Sequence, residues 1–417
     1  MKVHLLTIGD ELLIGQVVDS NSAWMAQRLN EIGAEVLEIT SVGDDPEHIR
    51  RTLERLFASE ADAILATGGL GPTKDDKTKQ AFADFFGVGF VFHQETWERL
   101  CSLFERFGRQ PTEAHRQQCL MPQNAEILSN DFGTAPAMWF EERGKVLVSL
   151  PGVPHEMKHL MEAEVLPRLR KRFPGKVILH RTLLTVGEGE SRIAQRLAAI
   201  EEALPPALKL AYLPGLGQVR LRLSATGEDE SQLRALLEEH AAAIERALPG
   251  IVFGYEDTTL EEAIGNLLRE RRLTLATAES CTGGYVAHRI TTVSGSSDYF
   301  TGSVVAYSNA VKQKVLGVRE DTLRRHGAVS EATVREMVQG VRKALGAYAA
   351  IATSGIAGPT GGTPEKPVGT IWIAAGCGEE LRTRKLQLGT DRLLNIQLTG
   401  VFALDLLRKI LLQTPPA

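Results

Sequence analysis

Residues 273–293 read LTLATAESCTGGYVAHRITTV. A short apolar run ends in small polar residues, a glycine pair follows, and an amphipathic helical pattern then begins. The spacing predicts a strand that feeds the N-terminus of a helix. Such a terminus carries N–H groups without intrahelical partners and a partial positive charge, which suit a phosphate or an oxyanion. Ser280, Cys281 and Thr282 stand at the turn as nucleophiles or hydrogen-bonding groups, ahead of Gly283 and Gly284. The turn reads either as a helix cap followed by permissive glycines or as a nucleophile turn.

Working outward, the segment 253–417 continues the alternation. TLEEAIGNLLRERR is an amphipathic helix, and GSVVAYS, YAAIATSG and GTIWIAAG are further strands interleaved with helices. The segment 1–170 alternates in the same way. KVHLLTIG, AEVLEITSVG and ADAILATGGLG read as strands, with helical faces at Met25, Leu29, Ile32 and at Ile49, Leu53, Leu56, Phe57 between them. Both segments read as α/β domains, whose ligands bind at the carboxyl ends of the strands. Residues 171–252 form a smaller β-α-β-α pattern, from VILHRTLLTVG to a helix through Leu233, Leu237 and Ile244, and read as an α+β module between the two. The fold class is therefore α/β, with two α/β domains joined by a small module. Its VGEGES turn has the shape of the GxxG loop of KH domains, but Glu188 and Glu190 would repel a nucleic-acid backbone.

The chain has 417 residues, 43% hydrophobic and 24% charged, with a net charge of −5. That is an ordinary globular composition, long enough for two or three cores, with no general pull toward nucleic acid or anionic membrane. No apolar stretch reaches the ~20 residues of a membrane span, and the N-terminus meets GDE too early for a secretory signal. Cys101, Cys119, Cys281 and Cys377 show neither metal spacing nor a disulfide framework, so a reducing cytoplasm is expected.

In the first domain TGGLGPTKDD places Gly68, Gly69 and Gly71 just past a buried strand, where backbone amides can approach a phosphate and Thr73 adds a hydroxyl. Asp75 and Asp76 follow at once, and carboxylates beside a phosphate imply a divalent cation. Asp10, Glu11, Asp44, Asp45 and Glu156 stand at strand ends or loops and are further candidate ligands; as the alternative, Asp45 before Pro46 fits a helix N-cap.

TGGLGPTKDD with GDELLIGQVVDSN resembles the molybdopterin-binding fold of molybdenum-cofactor biosynthesis proteins. Continued by LPGVPHEMK and AESCTGG, the whole chain resembles the competence/damage-inducible CinA family. The resemblance implies that the first domain hydrolyses ADP-ribose to AMP and ribose 5-phosphate with a divalent metal of the Mg, Mn or Co type; Asp76, which closes the glycine-loop motif, is expected to support the metal-bound pyrophosphate. It implies a KH-like middle module and a homodimer. It implies that the last domain, without a cofactor, converts nicotinamide mononucleotide to nicotinate mononucleotide and ammonia.

The residues can carry that last reaction. Ser280 can attack the carboxamide carbon, and amides of residues 281–284 can hold the oxyanion. In AYSNAVK, just past another strand, a desolvated Lys312 can act as base. Cys281 is the rival nucleophile; the family pattern favours Ser280 with Lys312 and leaves Cys281 to packing. Thr282 caps or donates a hydrogen bond, and Tyr307 stacks on the pyridine ring or belongs to the core. Gly355 and Gly358, in a glycine-rich loop, allow close approach of the ligand. Arg392 in LGTDR suits the 5′-phosphate, unless it pairs with Asp391. Ser297 matches a family position and is expected to bind ligand or assist the pair. The expected partners are small-molecule nucleotides, with neither membrane nor nucleic acid. Two rivals remain: a protein that holds a pterin-like ligand without hydrolysis, and a competence or DNA-damage adaptor.

Overall fold

Which helices form, and on which side of which sheet, follows from how the apolar residues alternate along the strands. The computed structural model describes residues 1–71, 77–106, 108–175 and 177–413. The chain divides into two units, Met1–Leu179 with Ala225–Arg234, and His180–Ser224 with Ala235–Ala417.

In the first unit, β1 (Lys2–Ile8), β2 (Glu35–Val42), β3 (Ala63–Thr67), β4 (Glu126–Leu128), β5 (Ala137–Glu142) and β6 (Lys145–Leu150) form one sheet in the order β2-β1-β3-β6-β5-β4. β1, β2, β3 and β6 run parallel, and β5 and β4 return antiparallel. Along β1, Val3 and Leu5 join Met25 and Leu29 of α1 (Ser20–Glu31) in one core. Leu6 and Ile8 join Ile49, Leu53 and Leu56 of α2 (Pro46–Phe57) in another. A strand buried on both faces is what a doubly wound parallel sheet requires. The strand order reverses beside β1, so the carboxyl ends of β1 and β3 open a crevice there.

The middle module adds two strands to the expected pattern. β7 (Val177–Val186), α3 (Glu190–Glu202), β8 (Leu208–Gly215), β9 (Gln218–Gly227), α4 (Glu230–Ala247) and β10 (Val252–Tyr255) give a sheet in the order β8-β9-β7-β10.

The rest of the second unit holds a second sheet. Its elements include α5 (Leu260–Glu270), β11 (Leu275–Glu279), α6 (Tyr285–Thr291), β12 (Phe300–Val305), α7 (Asn309–Lys314), α8 (Glu331–Leu345), β13 (Ala349–Gly355), β14 (Thr370–Cys377), β15 (Glu380–Gln387) and α9 (Arg392–Gln413). The strand order is β12-β11-β13-β14-β15, with β12, β11 and β13 parallel and β14 and β15 antiparallel. Small residues Ala276, Ala278, Ala350 and Ala352 face α8 through Val334, Met337 and Val341. Leu275, Ile351, Ile371 and Ile373 face α5 and α9 on the other side. Mostly small residues on one face and Leu and Ile on the other thus let a thin and a thick helix layer cover one sheet. GTIWIAAG is antiparallel rather than another parallel crossover strand, and no helix separates it from β15.

α9 also carries a buried ion pair. Arg408, 2% exposed, bonds Asp405 Oδ1 at 2.9 Å and donates to the carbonyls of Gly250 (2.6 Å) and Val252 (3.4 Å). Asp405 Oδ2 also holds Lys409 at 2.8 Å. The pair ties the helix that ends the chain to the last strand of the middle module. Asp405→Ala strands a guanidinium in the interior, and is expected to destabilise the second unit by about 3–5 kcal/mol. Chemical denaturation of fluorotryptophan-labelled protein, read at Trp372, measures it.

Candidate active site

The turn after β11 has a different electrostatic origin from the one its sequence suggests. Glu279, the last residue of the strand, is fully buried. Its Oε2 accepts from Thr282 Oγ1 (2.7 Å), Gly284 N (3.0 Å) and Val286 N (3.1 Å), and its Oε1 from Ala287 N (2.8 Å). The positive end of α6 is therefore already occupied by the protein's own carboxylate, and is not free for a phosphate. Gly283 (φ +62°) and Gly284 (φ +100°) adopt left-handed conformations that bend the chain back over Glu279, and this backbone requirement explains the glycine pair. Thr282 also bonds Thr353 Oγ1 at 2.7 Å; since its proton goes to Glu279, it accepts from Thr353. Its hydroxyl is thus turned inward, away from any ligand.

Ser280 is held at the sheet edge by its N–H, which donates to Thr353 O at 3.0 Å. Lys312, 1% exposed, places Nζ 3.0 Å from Ser280 Oγ, 2.7 Å from Ala306 O and 3.3 Å from Tyr307 O. Ser308 N-caps α7 and so sets the first turn that carries Lys312 inward. No carboxylate pairs with Lys312 among the described residues, and burial pushes its pKa below the ordinary 10.5. Its three neighbours are all oxygens, two backbone carbonyls and the serine hydroxyl, which fix the nitrogen in place beside Ser280 Oγ. Cys281 lies in the same turn, but burial pushes its thiol up to about 12. It stays protonated at neutral pH and is a poor nucleophile.

At the mouth, Tyr307 is 64% exposed, and its hydroxyl accepts from Arg392 Nη2 at 3.2 Å. Arg392 Nη1 donates to Gly358 O at 2.9 Å. Asp391 instead caps the start of α9 through Leu394 N, and Arg392 forms no ion pair among the described residues. Tyr307, Gly358 and Arg392 therefore meet beside the serine–lysine pair, with a guanidinium charge left over for an anion.

A Cβ on Gly355 would meet Ile371 at 2.4 Å, and one on Gly358 would meet Val368 at 2.6 Å, so the protein's own packing already requires glycine at both positions. Ser297 lies in the turn Ser296–Asp298 that enters β12, where Tyr299 O accepts from Leu275 N at 2.7 Å. Leu275 is five residues from Ser280, about 16 Å along the strand, so Ser297 stands at the opposite end of β11 from the pair.

The first unit has its own crevice, a cavity of about 530 Å³ lined by Gly68, Gly69, Gly71, Glu11, Asp44, Glu156 and Asn21 among others. Gly68 (φ +112°) passes so close to β1 that a Cβ would lie 2.0 Å from Ile8 O. Of the acids, Asp45 caps α2 by accepting from Glu47 N and His48 N. Asp10 and Asp44 accept from each other's backbone N–H at 3.2 and 3.1 Å. Glu156 accepts from Asn130 at 2.5 Å. Among the described residues no three such side chains gather as metal ligands, so they do not fit a metal centre by themselves. Thr73, Asp75 and Asp76 lie outside the described residues. The sequence reading missed Glu279, Asn21, whose amide donates to Gly152 O at 2.8 Å, and Arg99, which braces the loop beside Glu156 through Gly133 O at 3.0 Å. The one usable signal was Glu279 itself, an acid ending a strand otherwise made of apolar residues and one threonine.

A doubly wound domain with a glycine-loop crevice, a small α+β module and an α/β domain with a buried serine–lysine pair define a three-part α/β protein. Its parts match the families described as "Probable molybdopterin binding domain" over residues 4–171, "Damage-inducible protein CinA KH domain" over 180–254 and "CinA C-terminal domain" over 257–411. The chain is 43% identical to a CinA-like protein of Cytophaga hutchinsonii, covering 97% of each chain. It is 44% identical to a CinA-like protein of Salinibacter ruber, covering 99% of this chain and 100% of that one. The crystal structure of the competence/damage inducible protein CihA from Agrobacterium tumefaciens is similar at 36% identity and TM-score 0.36, over 37% of this chain and 94% of that one. The chain belongs to the CinA family. No helix among the described residues is long and apolar enough to cross a membrane.

If Lys312 is a neutral amine facing Ser280, a sulfonyl fluoride should label Ser280 at a rate that rises as pH climbs through the lowered lysine pKa and then levels off. Lys312→Arg keeps a cation that stays protonated. Labelling followed by peptide mass spectrometry should show that variant slow at every pH.

Proposed function

We propose that the C-terminal domain is an amidohydrolase of a nicotinamide nucleotide, converting nicotinamide mononucleotide to nicotinate mononucleotide and ammonia. The observation that carries this reading is the 3.0 Å contact between Lys312 Nζ and Ser280 Oγ, buried together. Lys312 takes the Ser280 proton as Oγ bonds to the carboxamide carbon, giving a tetrahedral oxyanion. The resulting ammonium returns its proton to the amide nitrogen, which leaves as ammonia and an ester on Ser280. Water, deprotonated by the same amine, then attacks the ester, and the acid departs with Ser280 Oγ reprotonated. Arg392, with its charge unpaired, suits the 5′-phosphate, and the exposed Tyr307 ring beside it suits the pyridine.

Ser280→Ala should abolish ammonia release from nicotinamide mononucleotide, at least about 10³-fold in kcat, while Cys281→Ala keeps most of it. The reverse pattern in folded proteins would move the nucleophile to the cysteine. A coupled ammonia assay decides, and a quenched reaction should carry the acyl group on Ser280.

For the first domain, the crevice at the carboxyl ends of β1 and β3 supports binding of a phosphate-bearing nucleotide. With the family membership it supports the proposal of ADP-ribose hydrolysis to AMP and ribose 5-phosphate. The divalent ion proposed with it would depend on Asp75 and Asp76 to complete its ligands. Gly68→Ala, which drives a methyl group into Ile8 O, should remove AMP formation measured by chromatography. Ammonia release should stay near the parent rate, since the two crevices belong to separate units.

A further inference from the structure

Ser280 must point at a carboxamide carbon while an oxyanion forms within reach of fixed donors. The turn has few N–H groups to offer. Ser280 N is bonded to Thr353 O, Gly283 N to Ser280 O, and Tyr285 N to Thr282 O. Gly284 N, Val286 N and Ala287 N all end on Glu279. What remains uncommitted among residues 280–287 is the Thr282 N–H, together with the Cys281 N–H beside its own thiol.

We propose that Glu279 is the positioning residue of this site: it locks residues 282–287 around one buried carboxylate and thereby confines the oxyanion to the Cys281 and Thr282 amides. The proposal rests on the amidohydrolase reading and assigns work to a residue that never touches substrate. Several features carry it. Glu279 is fully buried and has no ion-pair partner among the described residues, so its charge is balanced by hydrogen bonds alone. Those bonds come from both ends of the turn, the Thr282 hydroxyl on one side and the first turn of α6 on the other. Thr282 extends the lock to Thr353, whose carbonyl fixes the Ser280 N–H. One carboxylate therefore sets the nucleophile and the two amides next to it in a single frame. An anion at the start of α6 would face this carboxylate, and the oxyanion is pushed back toward residues 281 and 282.

Glu279→Gln keeps the shape but turns a donor amide toward one set of donors, either those on Oε2 or those on Oε1, so the turn must shift. A shift near 1 Å at a reacting group costs about 10²-fold in rate. Expected for the glutamine variant is a kcat on nicotinamide mononucleotide lower by about 10²-fold per titrated site, with KM changed by less than about threefold. Arg392, Tyr307 and Gly358 stand on other elements, which is why KM should hold. Its Ser280 should react with a sulfonyl fluoride slower by a similar factor. Thr282→Val, close in shape and without the hydroxyl, should follow in the same direction by about 10-fold, and serves if the glutamine variant does not fold. A role confined to stability would lower the melting temperature and leave kcat per titrated site intact. Parent-like kcat and labelling in folded Thr282→Val or Glu279→Gln overturns the proposal. Parent protein that labels at Ser280 yet does not hydrolyse nicotinamide mononucleotide overturns the substrate reading, while slower labelling of the variants still supports positioning. Parent protein that does not label at Ser280 overturns both.

Discussion

Lys312 Nζ is buried with no carboxylate partner among the described residues, and burial favours its uncharged form. Everything near the serine follows from that constraint. The partners of Nζ are all oxygens, the carbonyls of Ala306 and Tyr307 and the hydroxyl of Ser280, so the nitrogen is held against the serine from three sides. The sheet supplies the burial. β11 lies between β12 and β13, so the residue following its last one emerges into a site walled by two neighbouring strand ends. Small alanines on one face of β11 and β13 let α8 close over them.

The same turn holds a second ionisable group by the opposite strategy. Glu279 is buried as deeply as Lys312, but it collects backbone and hydroxyl donors at 2.7 to 3.1 Å, which is how an interior carboxylate is stabilised. The two groups do not bond to each other. Each depends on its own set of partners, and a Glu–Lys ion pair in their place would have protonated the amine and removed the base. Cys281 sits between them under the same burial, which keeps it a thiol and leaves the serine without a competing thiolate.

Much of the fold was legible. β1, β2 and β3, with the helices through Met25 and Ile49, declared themselves because an element buried on one face repeats its apolar residues at a fixed period. So did the strand, turn and helix at AESCTGG. What escaped were strands without such a period or with short turns: β5 and β6 joined through Arg143 and Gly144, β8 before Gly217, and β15, where ELRTRKLQ is charged because it lies at the sheet edge. In the site, Ser280, Lys312, Tyr307 and Arg392 come together as their motifs suggested, each at the carboxyl end of a strand or the start of a helix. Ser297 does not, because a motif match carries no information about which end of a strand it occupies. The acids of the first unit show how one sequence signal serves two roles. Asp10, Asp44 and Asp45 follow strand ends, and at a strand end a carboxylate serves the backbone N–H groups of the next turn as readily as a metal.

Gly68 and Gly284 make a closing contrast. Both follow central parallel strands, both have positive φ, and both sit in loops that sequence alone assigns to phosphate or oxyanion binding. At Gly68 the reason is steric: the neighbouring strand's carbonyl leaves no room for a side chain, and the loop lines an open cavity. At Gly284 nothing lies within 3.5 Å of where a Cβ would be, and the N–H points into Glu279. The first glycine clears space beside an open cavity; the second turns an amide into the protein's own carboxylate. Two glycine turns that look alike in sequence therefore perform different tasks, and the difference lies in one acid placed just before the second.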